Sequence, residues 1–482
     1  MGQWGSGAMK SLLDRASEHA QCYLEGIAER PVKATLTSAE LRAALGGPLG
    51  AAGESPMAII DRLAEAAAGG TVASAGPRYF GFVVGGSLPA AVAADWLVSA
   101  WDQNAGIFAL SPLVSVVEDI TAGWLRELAS LPETMTVGFV TGCQMANFTA
   151  LAAARHHVLQ QAGWDVEARG LAGAPSVTVV TSDESHYTIF MALRLLGFGA
   201  ATATRVPTDG QGRMRADTLR EVLAATTGPT IVCAQAGNVN TGAFDPISEV
   251  AQAVDEARAG QAAQGWQGAQ GRPVWLHVDG AFGLWAAASP ARAHLVSGIA
   301  RADSIATDAH KWLNVPYDSG LVFCAHPDAH RGAMALSAAY IQATAVERDP
   351  HEFVPEESRR GRAVPIYAAL RSLGTAGVGE MIERCCRHAA RIADQLQRHP
   401  HVRILNDVVL NQVLVRFDAP GRDADQLTRA VIAGVQEDGT CWLGGTTWHD
   451  MAAMRVAVSN WSTTAEDIDR SAAAILGVLD RL

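Results

Sequence analysis

Trp275-Leu-His277-Val-Asp279-Gly-Ala281 and Ser304-Ile-Ala-Thr307-Asp308-Ala-His310-Lys311-Trp312 decide the reading of this chain. Both are short runs of β type that carry polar residues where an ordinary strand would carry more valine. Asp279 closes the first run, and Lys311 follows the second about thirty residues later, a distance that fits strand, crossover helix, strand. Both side chains are then expected at the carboxyl edge of one parallel sheet, where open α/β sheets bind ligands. A lysine amine can form a Schiff base with an aldehyde, and a carboxylate can pair with a pyridinium nitrogen. Together they suit pyridoxal 5'-phosphate, whose protonated ring is an electron sink. The plainer reading, a surface ion pair, is opposed by the run His310-Lys311-Trp312 and by three further stretches.

The first is Val137-Gly-Phe-Val140-Thr141-Gly142-Cys143-Gln144, which leads into an Ala-rich helical run. Backbone N–H groups at a helix start favour an anion, so Gly142, Cys143 and Gln144 are assigned to the cofactor phosphate. The glycine pattern is not a dinucleotide fingerprint and no Gly-Lys-Ser/Thr follows, which disfavours a nucleotide. The second stretch is a buried strand over 176–181 ending in Ser182-Asp-Glu-Ser-His186-Tyr187, with a helix over 188–196. His186 there can stack on a pyridine ring. The third is the loop 237–246, where Asn238 is either a cofactor contact or a turn former. With strands at 205–207 and 230–235 and helices at 216–225 and 247–259, the repeated β-α units predict a mostly parallel sheet with helices on both faces.

The 482 residues exceed a usual single core, so more than one unit is expected. Residues 1–110 read as an N-terminal helical segment with pocket loops, and 111–374 as the large α/β domain. Residues 375–482 read as a small α+β domain, with strands at 402–405, 412–417, 440–443 and 453–459 and a turn at 444–448. Tyr79, Phe80, Phe82, Ile107 and Phe108 form an apolar set, with few positive side chains nearby. They favour an aromatic or branched aliphatic L-amino acid as the small-molecule substrate. Residues 334–362 read as a mobile lid.

Composition excludes other classes. The net charge is −12, without a Lys/Arg cluster, so nucleic acid and anionic membranes are poor partners. No apolar run reaches the roughly 18 residues of a membrane span, and Met1-Gly-Gln-Trp-Gly-Ser lacks a signal pattern. The seven scattered cysteines match neither a zinc site nor a disulfide framework, which leads us to expect no metal and a reduced, cytoplasmic location.

From about Tyr79 onward the chain resembles the group II pyridoxal-phosphate-dependent decarboxylases, the family of aromatic-amino-acid, glutamate and histidine decarboxylases. His277-Val-Asp279-Gly-Ala281 matches that family's His-Val-Asp-Ala-Ala, and Asp308-Ala-His310-Lys311-Trp312 matches its Asn-Pro-His-Lys-Trp. The resemblance implies a fold-type I, aspartate-aminotransferase-like architecture and a homodimer with sites at the interface. It makes Lys311 the Schiff-base lysine, Asp279 the pyridinium partner, Ala281 the small residue under the ring and His186 the stacked imidazole. It puts His277, Asp308 and His310 near the cofactor and its phosphate. The implied reaction is decarboxylation to the amine. The family's lid tyrosine, which serves in protonation of Cα, has no counterpart here; His351 or Tyr340 is the expected acid. Loss of that step would give an aldehyde synthase, and a Cα–Cβ lyase or aldolase is the other alternative.

Overall fold

The computed structural model describes residues 6–260, 272–335 and 347–482. Seven strands build the large domain: β1 (Thr136–Val140), β2 (Thr178–Ser182), β3 (Thr204–Val206), β4 (Thr230–Gln235), β5 (Val274–Asp279), β6 (Ser304–Asp308) and β7 (Gly320–Cys324). They form one sheet in the order β1-β7-β6-β5-β4-β2-β3. β3, β2, β4, β5 and β6 pair in parallel, and β7 runs antiparallel to both β1 and β6, so six strands share one direction. Every residue of β4, β5, β6 and β7 is buried. That is the pattern of a sheet covered on both faces.

One connection departs from the sequence reading. Between β5 and β6 stand three 3-10 turns, Gly283–Ala288, Ala293–Val296 and Ile299–Arg301, in place of a crossover α-helix. Pro290 and the left-handed Gly298 (φ 92°) interrupt any longer helix. Gly283 is pressed on β4's exit, where a Cβ would lie 2.2 Å from the Ala236 carbonyl oxygen.

The small domain holds β8 (Val402–Ile404), β9 (Gln412–Phe417), β10 (Gly444–Trp448) and β11 (Met451–Ala457) in an antiparallel sheet ordered β10-β11-β9-β8. Helices Ala424–Asp438 and Ala465–Arg481 belong to this unit. The strand expected at 440–443 is displaced, and the expected turn at 444–448 is the strand. A two-residue reversal at His449 and Asp450, both at positive φ, joins β10 to β11. β10 is an edge strand with one face open, so Gly-Gly-Thr-Thr satisfies it without apolar alternation. Trp442 instead stacks on Tyr79 with ring centroids 5.0 Å apart.

One bent helical unit, Ala363–Leu396, is broken at Gly374 (φ 62°). Asn314 fastens the domains. Its Oδ1 accepts from the Gly86 N–H (2.6 Å) and the Trp461 N–H (3.0 Å), while its Nδ2 donates to the Ser459 carbonyl (3.0 Å). The loop before residue 88, the segment after Lys311 and the small domain therefore meet at one buried amide, over the carboxyl edge of the sheet.

Candidate active site

Strand direction brings the chemistry together. β1 leads into Gly142 and Cys143, β2 into His186, β5 ends at Asp279, β6 ends at Asp308, and reversed β7 begins at the same edge. Gly320 of β7 packs on Gly142 so closely that a Cβ would lie 2.4 Å from the Gly142 Cα. A cavity of about 630 Å³ opens on this edge. Gly142, Cys143, Gln144, His186, Asp279, Ala281, Asp308, His310 and Lys311 all line it, as does Phe82.

Behind Asp279 runs a chain of hydrogen bonds whose direction is fixed from Trp275 to Asp279. Trp275 Nε1, which can only donate, reaches Ser304 Oγ at 2.8 Å. Ser304 Oγ lies 2.9 Å from His277 Nδ1, and His277 Nε2 lies 2.9 Å from Asn147 Oδ1. Asn147 Nδ2 donates to Asp279 Oδ2 (3.0 Å) and to Thr188 Oγ1 (3.3 Å). Thr188 Oγ1 lies 2.8 Å from His186 Nδ1. Since the Asp279 carboxylate only accepts, the amide of Asn147 must present its Nδ2 there and its Oδ1 to His277. Neutral His277 then carries its proton on Nε2. Burial pushes His277 down to about 4 and also lowers His186, so both rings are neutral near pH 7. Asp279 Oδ1 further accepts from the Ala281 N–H at 3.1 Å and takes a contact from Cys143 Sγ at 3.4 Å. One carboxylate is thus held rigidly at the cavity wall.

A second buried carboxylate sits beside it. Asp308 Oδ1 accepts from the Cys143 N–H at 2.6 Å, at the start of the helix Cys143–Gln161. His310 Nε2 is 3.2 Å from the same oxygen, and Lys311 Nζ is 2.8 Å from Asp308 Oδ2. The Ser319 N–H donates to His310 Nδ1 at 3.0 Å, so the neutral ring of His310 points its Nε2–H at Asp308. Burial lowers His310. Burial pulls the Lys311 amine down, but Asp308, Cys143 and Asp279 together outweigh it and the ammonium is held above its ordinary range.

Other expected residues lie off the cavity wall. His277 stands behind Asn147, fully buried. Asn238 is the turn former: its Oδ1 accepts from the Asn240 and Thr241 N–H groups, while Val239 and Asn240 face the cavity. Tyr79 is stacked on Trp442, and Phe80 is 1 % exposed in the core. Ile107 and Phe108 sit in a loop bound to residues 349–351: the Phe108 N–H donates to Asp349 Oδ1 (2.8 Å), and the His351 N–H donates to the Gly106 carbonyl (2.9 Å). The His351 ring is buried, with Nδ1 3.1 Å from that same carbonyl. Tyr340 lies outside the described residues.

The sequence reading missed Asn147, Thr188 and Arg455. Asn147 was within reach, four residues after Cys143 and so on the same helix face. Arg455, on β11, reaches the cavity from the small domain, and no local pattern marks it. Burial pushes its guanidinium down to about 10, and its Nε has no hydrogen-bond partner.

A cradle of helix-start N–H groups, a half-buried lysine, a fixed carboxylate, a neutral imidazole and the small Ala281 fits pyridoxal phosphate on chemical grounds. Comparison with known proteins agrees. Residues 50–418 match the model of the pyridoxal-dependent decarboxylase conserved domain. The chain is 26% identical over 458 residues to the aromatic-L-amino-acid decarboxylase of Bacillus atrophaeus, covering 92% of this chain and 90% of that one. It is 24% identical to the 4-hydroxyphenylacetaldehyde synthase of Rhodiola rosea, covering 93% and 90%. Its fold matches the crystal structure of Oryza sativa TDC with PLP and tryptamine at a TM-score of 0.89, with 22% identity over 100% of this chain and 99% of that one. The chain belongs to the pyridoxal-dependent decarboxylase family and is a PLP-dependent carboxy-lyase.

Proposed function

We propose that the chain decarboxylates an L-amino acid with an aromatic or otherwise apolar side chain, giving the amine and CO2. Bound pyridoxal phosphate supplies an electron sink for the pair left at Cα when CO2 departs. In this reading Lys311 holds the aldehyde carbon and Asp279 keeps the ring nitrogen protonated. His186 covers a ring face opposite the small Ala281, and the Gly142–Gln144 turn with His310 takes the phosphate. Asn147 and His277 act from behind: Asn147 donates to Asp279, and His277 fixes the orientation of the Asn147 amide.

Arg455 carries the substrate argument. It is the only guanidinium lining the cavity among the described residues. Its free Nε and its burial suit it to the substrate α-carboxylate. With Arg455 and Lys311 so engaged, no lysine or arginine on this wall is left for a second carboxylate. Phe82, Val83, Tyr187, Val239 and Phe282 supply the apolar lining, and Asp183 and Glu184 would repel an acidic side chain.

A second product has one observation in its favour. The His351 ring is bonded to the Gly106 carbonyl, away from the cavity of its own chain, so it is not set to protonate Cα there. Without an acid at that atom, oxygen can take the electron pair, and the products become aldehyde, ammonia, CO2 and peroxide. Purified, PLP-loaded protein given a panel of L-amino acids separates the outcomes. Amine equal to CO2 without peroxide is the expected result; peroxide with aldehyde would install the second reading. An absence of CO2 from every substrate would overturn both in favour of Cα–Cβ cleavage.

We also propose a homodimer. Trp96, Leu97 and Trp101 on one helix and Leu113, Val116 and Ile120 on another are exposed. The unit joining Ile107 and Phe108 to His351 projects no side chain into its own cavity, and a second copy is its natural recipient. Sedimentation analysis is expected to give twice the 50.6 kDa chain mass. No helix among the described residues is long and apolar enough to cross a membrane. All seven cysteines are free, in keeping with a reducing cytoplasmic setting.

A further inference from the structure

Three donors converge on one buried carboxylate at the cavity edge. The Cys143 N–H opens the helix Cys143–Gln161 and meets Asp308 Oδ1 at 2.6 Å. His310 Nε2–H, fixed by the Ser319 N–H on the other side of its ring, meets the same oxygen at 3.2 Å. Lys311 Nζ meets the second oxygen at 2.8 Å. Glycine at 142 permits this approach, since a Cβ there would lie 3.1 Å from His310 Cε1 and 3.4 Å from Asp308 Oδ1. An amide, an imidazole N–H and an ammonium around a single anion make an anion seat, and a side chain of this protein already engages it. Two of these donors, the Cys143 N–H and His310, are the groups assigned above to the cofactor phosphate, and the inference rests on that assignment.

A carboxylate and a phosphate cannot share these donors without cost. Both are acceptors only, and like charges at contact in a buried site repel. The family's motif carries asparagine at this position, an amide that can donate to phosphate with Nδ2 while accepting with Oδ1. Aspartate offers only the acceptor. We propose that Asp308 is an internal competitor of the cofactor phosphate: it engages the donors of the phosphate seat, so that the phosphate adds little to cofactor affinity. The cofactor is then held chiefly through its aldehyde and its ring nitrogen, at Lys311 and Asp279.

Pyridoxal tests this, because it carries the same aldehyde and ring without the phosphate. Apoprotein is titrated with pyridoxal phosphate and with pyridoxal, following the visible absorbance of the lysine-bound form, for the natural chain and for Asp308→Asn. The natural chain is expected to prefer the phosphorylated form only weakly. Since Asp308 also pairs with the Lys311 ammonium, a change through the amine falls on both aldehydes alike, and the variant is expected to raise the ratio of pyridoxal phosphate affinity to pyridoxal affinity at least tenfold. An unchanged or lower ratio would overturn the competition. An equal gain for both aldehydes would do the same, since Asp308 would then be acting through Lys311. A strong preference of the natural chain for pyridoxal phosphate that the variant leaves as it is would show that the phosphate is held elsewhere, and the seat assignment itself would fall. One measurement needs no variant. Inorganic phosphate, a mimic of the missing group, should leave pyridoxal affinity of the natural chain within twofold, and a tenfold tightening would reveal an open seat and overturn the proposal.

Discussion

The two walls of the cavity are built differently. On the cofactor wall, Asp279 and Asp308 are buried, and each oxygen of both carboxylates has a hydrogen-bonded or ionic partner. On the substrate wall, Arg455 Nε has no partner, and Phe82 and Tyr187 are 64 % and 65 % exposed. The first wall is finished within one chain; the second awaits other groups. A decarboxylase needs this asymmetry. The electron sink must be preorganised to act, whereas the substrate wall must open to admit an amino acid and release an amine.

The strongest way to break this contrast is at Lys311. Lys311→Ala removes the amine that would hold the cofactor and exchange with the substrate. Turnover is expected to fall by about a thousandfold or more, and the visible band that borohydride abolishes should be missing from the variant. A variant that kept that band would place the bonding lysine elsewhere and dissolve the distinction between walls. Arg455→Gln comes next. Loss of a charge-assisted contact costs about 2–3 kcal/mol, so kcat/KM should drop about a hundredfold. The cofactor band should be untouched, because the loss lies on the other wall. A shift of that band with unchanged KM would move Arg455 to the cofactor.

Acid probes the cofactor wall by itself. His277 is neutral when folded and is pushed down to about 4, below its unfolded value near 6.5. At pH 5 the unfolded chain binds a proton that the folded chain refuses, so acid favours unfolding. This contribution is complete above pH 6.5 and is lost as pH falls toward 4, amounting to roughly 1–3 kcal/mol. Half-buried His157, pushed to about 4, and buried His330, to about 3, add slopes of the same sign. His277→Gln keeps a donor for Asn147 but does not titrate. Its melting temperature should therefore fall less steeply than that of the natural chain between pH 6.5 and 4.5, and parallel curves would show that His277 carries no such linkage.

The contrast also explains what the sequence could reveal. Gly142, Cys143, His186, Asp279, Asp308 and Lys311 each lie within a few residues of a strand end, and one sheet edge collects them. Local pattern suffices for such a wall. His277 shares a strand face with Asp279, two residues back, but only the fold shows that Asn147 stands in front of it. Arg455 depends on a hairpin whose register turns on His449 and Asp450, where the sequence pattern predicts a turn over 444–448 in place of its first strand. Of the five expected wall aromatics and aliphatics, only Phe82 reaches the cavity. Phe82 and Val83 adopt positive φ (53° and 58°), so neither helical nor strand periodicity tells which neighbouring ring turns inward.

That loop gives the smallest effect and the finest test of the substrate wall. Phe82 is 64 % exposed and tilts against Trp442 with ring centroids 5.4 Å apart, so it has little core packing to lose. Phe82→Ala should leave folding and the cofactor band intact. A partly exposed ring contributes about 0.5–1.5 kcal/mol to an aromatic partner, so kcat/KM should fall three- to tenfold for aromatic amino acids and about twofold or less for small aliphatic ones. Phe80→Ala, one turn of chain away but buried in the core, should instead lower the melting temperature without discriminating between substrates. An equal loss for every substrate in Phe82→Ala would mean that the ring shapes the loop rather than the choice of amino acid. The apolar reading of the substrate wall would then rest on Val83, Tyr187, Val239 and Phe282 alone.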